Sequence, residues 1–301
     1  MSQPAVPSHA ATEHAIAVTG GTIYYRTQGS GPPLVLIGGG PSNADTLAAL
    51  AGHLAAGRTV ITYDRRGYSR SRLDDPSQPA SIPVHAGDLR HVIDDLGAGP
   101  ASVVASSAGA LIALELLASH PDSVTRVIIH EPPLGQLVPA DDRASFDVDL
   151  DRDDAGEALD QIAQSIGVTR GRSLTGSGDQ PEVRRGDIEL FIRRDVPAIA
   201  DYDLELERIT PLADRIVVTA SQEGREFYPH RCAQALAAAL GTPLIELPGN
   251  HAAMITHPAE FAARVAPLLP CSAADQGVRK PTLGSRGDRN TRPVGGTFEV
   301  V

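Results

Sequence analysis

The sequence predicts an α/β protein built on a mostly parallel, eight-stranded sheet that is flanked by helices. Short apolar, β-branched segments alternate with longer helical patterns, which is the rhythm of a parallel sheet covered on both faces. The segment at residues 34–37 is apolar at every position, as expected of a strand that is buried on both faces. A chain of 301 residues with 42% hydrophobic residues can form one large domain of this kind.

Each predicted element follows from its local pattern. The first two strands flank Gly20-Gly21, a hairpin signal, and the later strands are each followed by a helical pattern or a polar turn. The strands are expected at residues 15–18, 22–26, 34–37, 58–63, 103–105, 124–129, 215–219 and 244–247. Helices are expected after the third strand to about residue 55, at 84–96, from the fifth strand to residue 119, at 229–240 and at 258–269.

The alternation of strands and helices stops near residue 134 and resumes near residue 208. The segment between, rich in Asp and Arg, is predicted to carry helices near 155–166 and 182–206 as an insertion into the sheet domain. We name residues 134–207 the cap segment. The predicted organisation is a flexible leader at 1–13, a core at 14–133 and 208–269, and a disordered tail at 270–301.

Composition narrows the class of protein. The net charge of −11 argues against a nucleic-acid partner, and no apolar run is long enough to cross a membrane. The first 13 residues lack the features of a signal peptide, and Cys232 and Cys271 fit no metal or redox spacing. The sequence therefore predicts a cytoplasmic protein without a metal site, a nucleic-acid partner or a membrane span.

The strand–turn–helix at residues 103–112 predicts an exposed nucleophile at Ser107. A nucleophile elbow requires small residues two positions before and two positions after its centre, because strand and helix nearly touch there. With Ser107 at the centre these positions are Ala105 and Gly109, whereas a centre at Ser106 would put the bulky Val104 in one of them. The pattern G-x-S-x-G thus selects Ser107, with Ala in place of the first Gly.

A serine hydroxyl needs a base, and the base needs an orienting acid. His251 lies in a turn just after a predicted strand, and therefore at the edge of the sheet where the elbow also lies. Glu223 follows the preceding strand, lies at the same edge and is the preferred acid in the chain order nucleophile, acid, histidine. Glu131, at the end of the strand 124–129, is the alternative acid.

The loop Gly38-Gly39-Gly40 offers backbone N–H groups for an oxyanion. The N–H of Ala108, which follows the nucleophile, is one predicted donor, and that of Gly40 is the other. A phosphate-binding loop is the competing interpretation, but neither G-K-[ST] nor G-x-G-x-x-G is present.

Taken in order, these motifs resemble the α/β-hydrolase superfamily. The resemblance covers about residues 14–269 and is carried by the Gly-rich loop ending Gly40-Pro41, the turn at residues 64–69, the Ser107 elbow, the Glu223 region and Gly249-Asn250-His251. It implies a serine–acid–histidine triad, an oxyanion hole, no cofactor and a helical cap after the sixth strand.

The function expected from this resemblance is hydrolysis of an ester, lactone or related acyl bond of a small molecule. Gly39, Phe191 and Ile192 are the candidate residues for substrate binding. A ligand-binding or receptor-like member with little turnover, a haloperoxidase-like enzyme and a C–C bond hydrolase are the alternatives, because substrate choice lies in the cap segment.

Overall fold

The computed structural model describes residues 10–144, 154–168 and 183–270, and its centre is a single nine-stranded sheet. The predicted fold class is confirmed, with one added two-residue strand. The strands are β1 (Thr12–Val18), β2 (Gly21–Gly29), β3 (Pro33–Ile37), β4 (Thr59–Tyr63), β5 (Arg72–Leu73), β6 (Ala101–Ser106), β7 (Val124–His130), β8 (Ile216–Ser221) and β9 (Leu244–Leu247).

The strand order is β1-β2-β4-β3-β6-β7-β8-β9, with β5 paired to β2. The pairs β1–β2, β2–β4 and β2–β5 are antiparallel, and every pair from β4–β3 to β8–β9 is parallel. The C-terminal ends of β3, β6, β7, β8 and β9 therefore lie along one edge, where an open α/β sheet places its ligand.

Helices cover both faces because the central strands are apolar on both sides. One buried cluster joins the sheet to α2 (Ile82–Leu96), α3 (Ala108–Ser119) and α9 (Tyr228–Leu240), and a second joins it to α1 (Ala48–Leu54), α10 (Ala253–Thr256) and α11 (Pro258–Val265). Every residue of β3 and β6 is buried. At about 25 cal/mol per Å² of apolar surface, this burial is the main stabilising term of the core.

The described part of the cap segment is helical. It contains α4 (Ala140–Ala144), α5 (Ala155–Ser165), α6 (Arg185–Leu190), a π-helical turn (Phe191–Asp195), α7 (Val196–Ala200) and α8 (Leu206–Ile209). The helix expected near 155–166 matches α5, whereas the helix expected at 182–206 is interrupted by the π turn and ends at Ala200.

Two buried carboxylates of the α6–α7 segment dock it onto the core. Asp187 accepts hydrogen bonds from the Ser69 amide at 2.8 Å and from Asn43 Nδ2 at 3.3 Å, and it also accepts one from the Ser69 hydroxyl. Asp195 accepts one from the Tyr68 hydroxyl at 2.7 Å. These bonds connect the segment to the loops that follow β3 and β4.

The structure bears differently on the predicted leader and the predicted tail. β1 begins at Thr12, inside the predicted leader, because residues 12–18 pair with β2 in a continuous register. Residues 1–9 and nearly all of the predicted tail, 271–301, lie outside the described residues. Among the described helices, none has the length and apolarity needed to cross a bilayer.

Candidate active site

Ser107 occupies a strained turn between β6 and α3. Its φ of 55° and ψ of −127° lie in a region that non-glycine residues rarely adopt. The Ser107 amide donates to the His130 carbonyl at 2.9 Å, and the Ser107 carbonyl accepts from the Ala110 amide at 2.9 Å. These bonds hold the serine at the end of β6 in the geometry that the elbow pattern predicts.

Gly109 shows why the elbow requires small residues. A Cβ placed on Gly109 would lie 2.7 Å from the Gly38 carbonyl oxygen and 2.8 Å from that of Ile37. The start of α3 therefore lies directly against the end of β3, as the choice of Ser107 over Ser106 assumed.

His251 lies in the turn after β9, and its side chain is buried. Its Nδ1 is 2.7 Å from Oε2 of Glu131, which follows β7. With the proton assigned to Nδ1, the ring donates to the carboxylate and leaves Nε2 free to accept a proton.

The prediction that Glu223 orients His251 is wrong in this structure, and the alternative Glu131 makes the contact. Glu131 adopts a φ of 50°, and its side chain is 1% exposed. Glu223 is exposed, and its amide donates to the Gly249 carbonyl at 3.1 Å. At the end of β8 the chain turns outward after Ser221, so the glutamate two residues later faces solvent.

Ser221 takes part in the site by binding the carboxylate. Its amide donates to Glu131 Oε1 at 2.8 Å and its hydroxyl donates to the same oxygen at 2.6 Å. No sequence signal marks this role, because serine is common at strand ends. Ser221 ends β8, the strand after which the acid was predicted, and it binds the acid that follows the neighbouring strand β7 instead.

The charge of Glu131 is stabilised although the group is buried. Burial favours the protonated form, but contacts with His230 and the hydrogen bond from His251 outweigh it and lower the pKa of Glu131 well below its usual range. His230 Nδ1 lies 3.7 Å from Glu131 Oε1, and this carboxylate raises the pKa of His230. Glu131 is therefore an anion beside His251 at neutral pH.

The glycine loop after β3 lies against the serine. A Cβ on Gly39 would be 2.4 Å from Ser107 Cβ, so only glycine fits there. Gly40 has a φ of 51°, and its carbonyl accepts a hydrogen bond from the buried Arg65 side chain. Ala108 is the first residue of α3, directly after the serine.

Ser107, Gly39, Gly40 and His251 line one cavity of about 440 Å³. Most of its other walls are apolar, and among the described residues His251 is the one ionisable side chain in the lining. The apolar walls come from both the core and the cap segment: Pro41, Pro133, Leu159, Ile162, Ala163, Ile166, Val168, Val183, Ile188, Phe191, Val196, Ile199, Pro229, Ala252, Met254 and Ile255.

Of the two cap-segment residues that were predicted to contact substrate, one lines the cavity and the other does not. Phe191 lines the cavity, as expected. Ile192 is wrong as a lining residue, because it is 1% exposed and packs inside the apolar cluster that contains Tyr68 and Val196. Adjacent residues of a helical turn face different directions, so only one of the pair can reach the cavity.

Within the described residues, no group of three or more His, Cys, Asp or Glu is arranged to hold a metal ion.

Comparison with known proteins identifies the family. The model of the alpha/beta hydrolase fold family matches residues 32–198. The chain belongs to this family. It is 33% identical over 267 residues to the uncharacterized hydrolase YraK of Bacillus subtilis (strain 168), covering 84% of this chain and 94% of that protein. The family match and this relative together show that the chain is a hydrolase of the alpha/beta family.

One further relative and two solved structures extend the comparison. The zearalenone hydrolase of Bionectria ochroleuca is 27% identical over 252 residues, covering 81% of this chain and 92% of that protein. The structure of an alpha/beta hydrolase from Sphaerobacter thermophilus DSM 20745 is 27% identical with a TM-score of 0.63, covering 84% of this chain and 99% of the other. The N-acyl homoserine lactone degrading enzyme Est816, 24% identical with a TM-score of 0.64, covers 85% of this chain and all of its own, and shows the shared fold.

Proposed function

We propose that this protein is a serine hydrolase that cleaves an ester, lactone or related acyl bond of a small apolar molecule. The observation that carries the proposal is that the strained Ser107 and the buried His251–Glu131 pair meet at one apolar cavity. A serine nucleophile needs such a base, and the base needs such an acid.

The proposed reaction begins when Ser107 Oγ attacks the acyl carbon while His251 Nε2 accepts its proton. Glu131 holds the imidazole in the tautomer with Nδ1 protonated and stabilises the imidazolium that forms. The Gly40 and Ala108 N–H groups donate to the oxyanion. The tetrahedral intermediate then expels an alkoxide, which receives the proton from His251. Water repeats the sequence to release the acid and restore Ser107.

The cavity supports a neutral, apolar substrate. Transfer of a charged group into walls of this composition would cost several kcal/mol without a partner, and no lysine, arginine, aspartate or glutamate occurs among the described lining residues. One relative is named a zearalenone hydrolase, and one structure of the same fold is named an N-acyl homoserine lactone degrading enzyme; the lactone in that second name agrees with an acyl bond as the target.

A fluorophosphonate probe and a series of p-nitrophenyl esters test the proposal. We expect one covalent adduct by intact-mass spectrometry, located on Ser107 by peptide mapping and absent in Ser107→Ala. Ser106→Ala is the matched control, because Ser106 is buried beside the nucleophile and should leave labelling intact. A folded wild-type protein that takes no adduct and hydrolyses no ester would favour a ligand-binding family member instead.

Chain-length preference tests the role of the cavity. Phe191→Ala should shift ester preference toward longer or bulkier acyl groups because it enlarges the lining. Phe261→Ala removes an equally large buried ring from the cluster around α11 and should lower stability without that shift. An equal change of preference in both variants would contradict the assignment of the cavity.

A further inference from the structure

Arg65 connects the glycine loop to the cap segment from a buried position. Its side chain is 3% exposed and its guanidinium donates from Nη2 to the Gly40 carbonyl. The same Nη2 lies 3.4 Å from Oδ2 of Asp195, in the π turn of the cap segment. Its Cζ lies 4.5 Å from the centre of the Tyr68 ring, so the cation is stacked as well as paired.

The Gly40 carbonyl is a point where the loop can be fixed. Gly39 and Gly40 have the greatest backbone freedom of any residue type, and Gly40 adopts a positive φ of 51°. The next residue, Pro41, has no N–H with which to anchor the following peptide. A charged donor on the Gly40 carbonyl therefore fixes the plane of the Gly40–Pro41 peptide. The Gly40 N–H belongs to the preceding peptide, so fixing one plane limits the φ and ψ of Gly40 and with them the directions open to this N–H.

Arg65 differs from the neighbouring arginine in how it is satisfied. Arg66 forms a two-bond fork with Asp88, at 2.8 and 2.6 Å, and also donates to the Thr19 carbonyl. In the described part of the chain, Arg65 Nε and Nη1 are buried without a hydrogen-bond partner. A buried cation with unpaired donors is costly, so stability alone does not account for Arg65 at this position.

Asp195 is the anion that compensates this charge. Burial alone would favour its protonated form, but the guanidinium of Arg65 and contacts with His85 and Tyr68 lower the pKa of Asp195 to about 2. Asp195 is consequently ionised throughout the neutral range and belongs to a π turn, a distortion that often occurs at functional sites.

We propose that Arg65 is a positioning residue that fixes the Gly40 N–H for the oxyanion, and that Asp195 of the cap segment holds Arg65 in place. The proposal rests on the proposed function for the role of the Gly40 N–H. By this proposal, the Gly40 N–H points correctly at the oxyanion only while the π turn of the cap segment is docked against Arg65.

Hydrogen exchange and kinetics of Arg65→Met, Arg65→Lys and Asp195→Asn test this inference, with Arg66→Met as the matched control. In Arg65→Met, the amides within residues 38–42, which are those of Gly38, Gly39, Gly40 and Ser42, should exchange at least about tenfold faster, while those of 106–112 stay unchanged. On a p-nitrophenyl ester its kcat should fall about 10- to 100-fold with KM changed less than about threefold, because an oxyanion donor acts in the transition state.

The other variants separate positioning from general destabilisation. Arg65→Lys keeps the charge and should recover a large part of the lost kcat. Asp195→Asn should lower kcat and combine with Arg65→Met less than additively, because the two side chains act together. Arg66→Met should lower the melting temperature without faster exchange at 38–42 and without a selective loss of kcat.

The outcomes that overturn the inference are distinct from failure of the proposed function. Unchanged exchange at 38–42 in Arg65→Met, or the same exchange and kcat changes in Arg66→Met, would overturn it. If Arg65→Met does not fold, Asp195→Asn decides by the same exchange measurement, because it removes the anion that holds Arg65 in place. A wild type without a Ser107 adduct and without esterase activity would refute the proposed function, while the exchange comparison would still decide whether Arg65 fixes the loop.

Discussion

Replacing Glu131 with glutamine should disable the base while leaving the site almost unchanged in shape. Ser221 presents two donors, its N–H and its hydroxyl, to Glu131 Oε1. The backbone N–H cannot reverse its role, so the oxygen of the new amide is held by Ser221. The NH₂ group must then face His251 Nδ1, which lies 2.7 Å from the carboxylate in the native chain. His251 can accept that bond only in the tautomer with its proton on Nε2.

An imidazole with its proton on Nε2 cannot accept the proton of Ser107. The corresponding change in another serine hydrolase triad lowers kcat about 10⁴-fold, and we expect the same order for Glu131→Gln, or about 5.5 kcal/mol in the barrier. The assay is kcat on the best p-nitrophenyl ester, with the melting temperature measured beside it. Glu223→Gln is the control and should stay within about twofold, because Glu223 is exposed. A collapse in Glu223→Gln with a near-normal Glu131→Gln would refute the reasoning.

Three further predictions follow from local geometry. Gly39→Ala should lower ester hydrolysis about 100-fold, since its Cβ would lie 2.4 Å from Ser107 Cβ, whereas Gly87→Ala, in open space on a helix, should keep full activity. Burial lowers the pKa of His130 to about 4, so between pH 6.5 and pH 4 the unfolded chain binds a proton that the folded chain does not. The unfolding free energy should therefore fall by about 3 kcal/mol over this range, as measured by urea titration. His130→Asn should flatten the profile. Asp187→Ala should accelerate limited proteolysis within residues 183–200, because three donors from the core lose their acceptor; equal cleavage rates would contradict that docking role.

The sequence was sufficient where local sterics decide the structure. The small residues around Ser107 and the apolar strands leave few alternatives, so the elbow, the sheet and the position of His251 follow from the chain itself. The helix near 155–166 was also predictable from its apolar periodicity, because one face packs against the core of the cap segment.

The identity of the acid was not predictable because it depends on long-range packing. Glu131 and Glu223 both follow parallel strands, and both keep the chain order nucleophile, acid, histidine, so neither position nor order decides between them. The decision comes from the backbone turn at Glu131 and from the Ser221 hydroxyl, 90 residues away in the chain. The contact between Arg65 and Asp195 likewise joins distant segments, and although Arg65 lies in the turn at residues 64–69, nothing in the sequence pairs it with Asp195.

The backbone at Ser107 and Glu131 has a consequence for attempts to make this protein more robust. Both residues hold positive φ angles, of 55° and 50°, which cost on the order of 1–3 kcal/mol each for side chains of this kind. Glycine at either position would remove that cost. At Glu131, however, glycine would also leave the donors of Ser221 and His251 without their buried acceptor, which costs more than the strain. A screen for heat resistance alone would therefore favour Ser107→Gly and discard the nucleophile, but it would keep Glu131. Thermal tolerance and turnover are opposed at Ser107, so selection for one must be accompanied there by selection for the other.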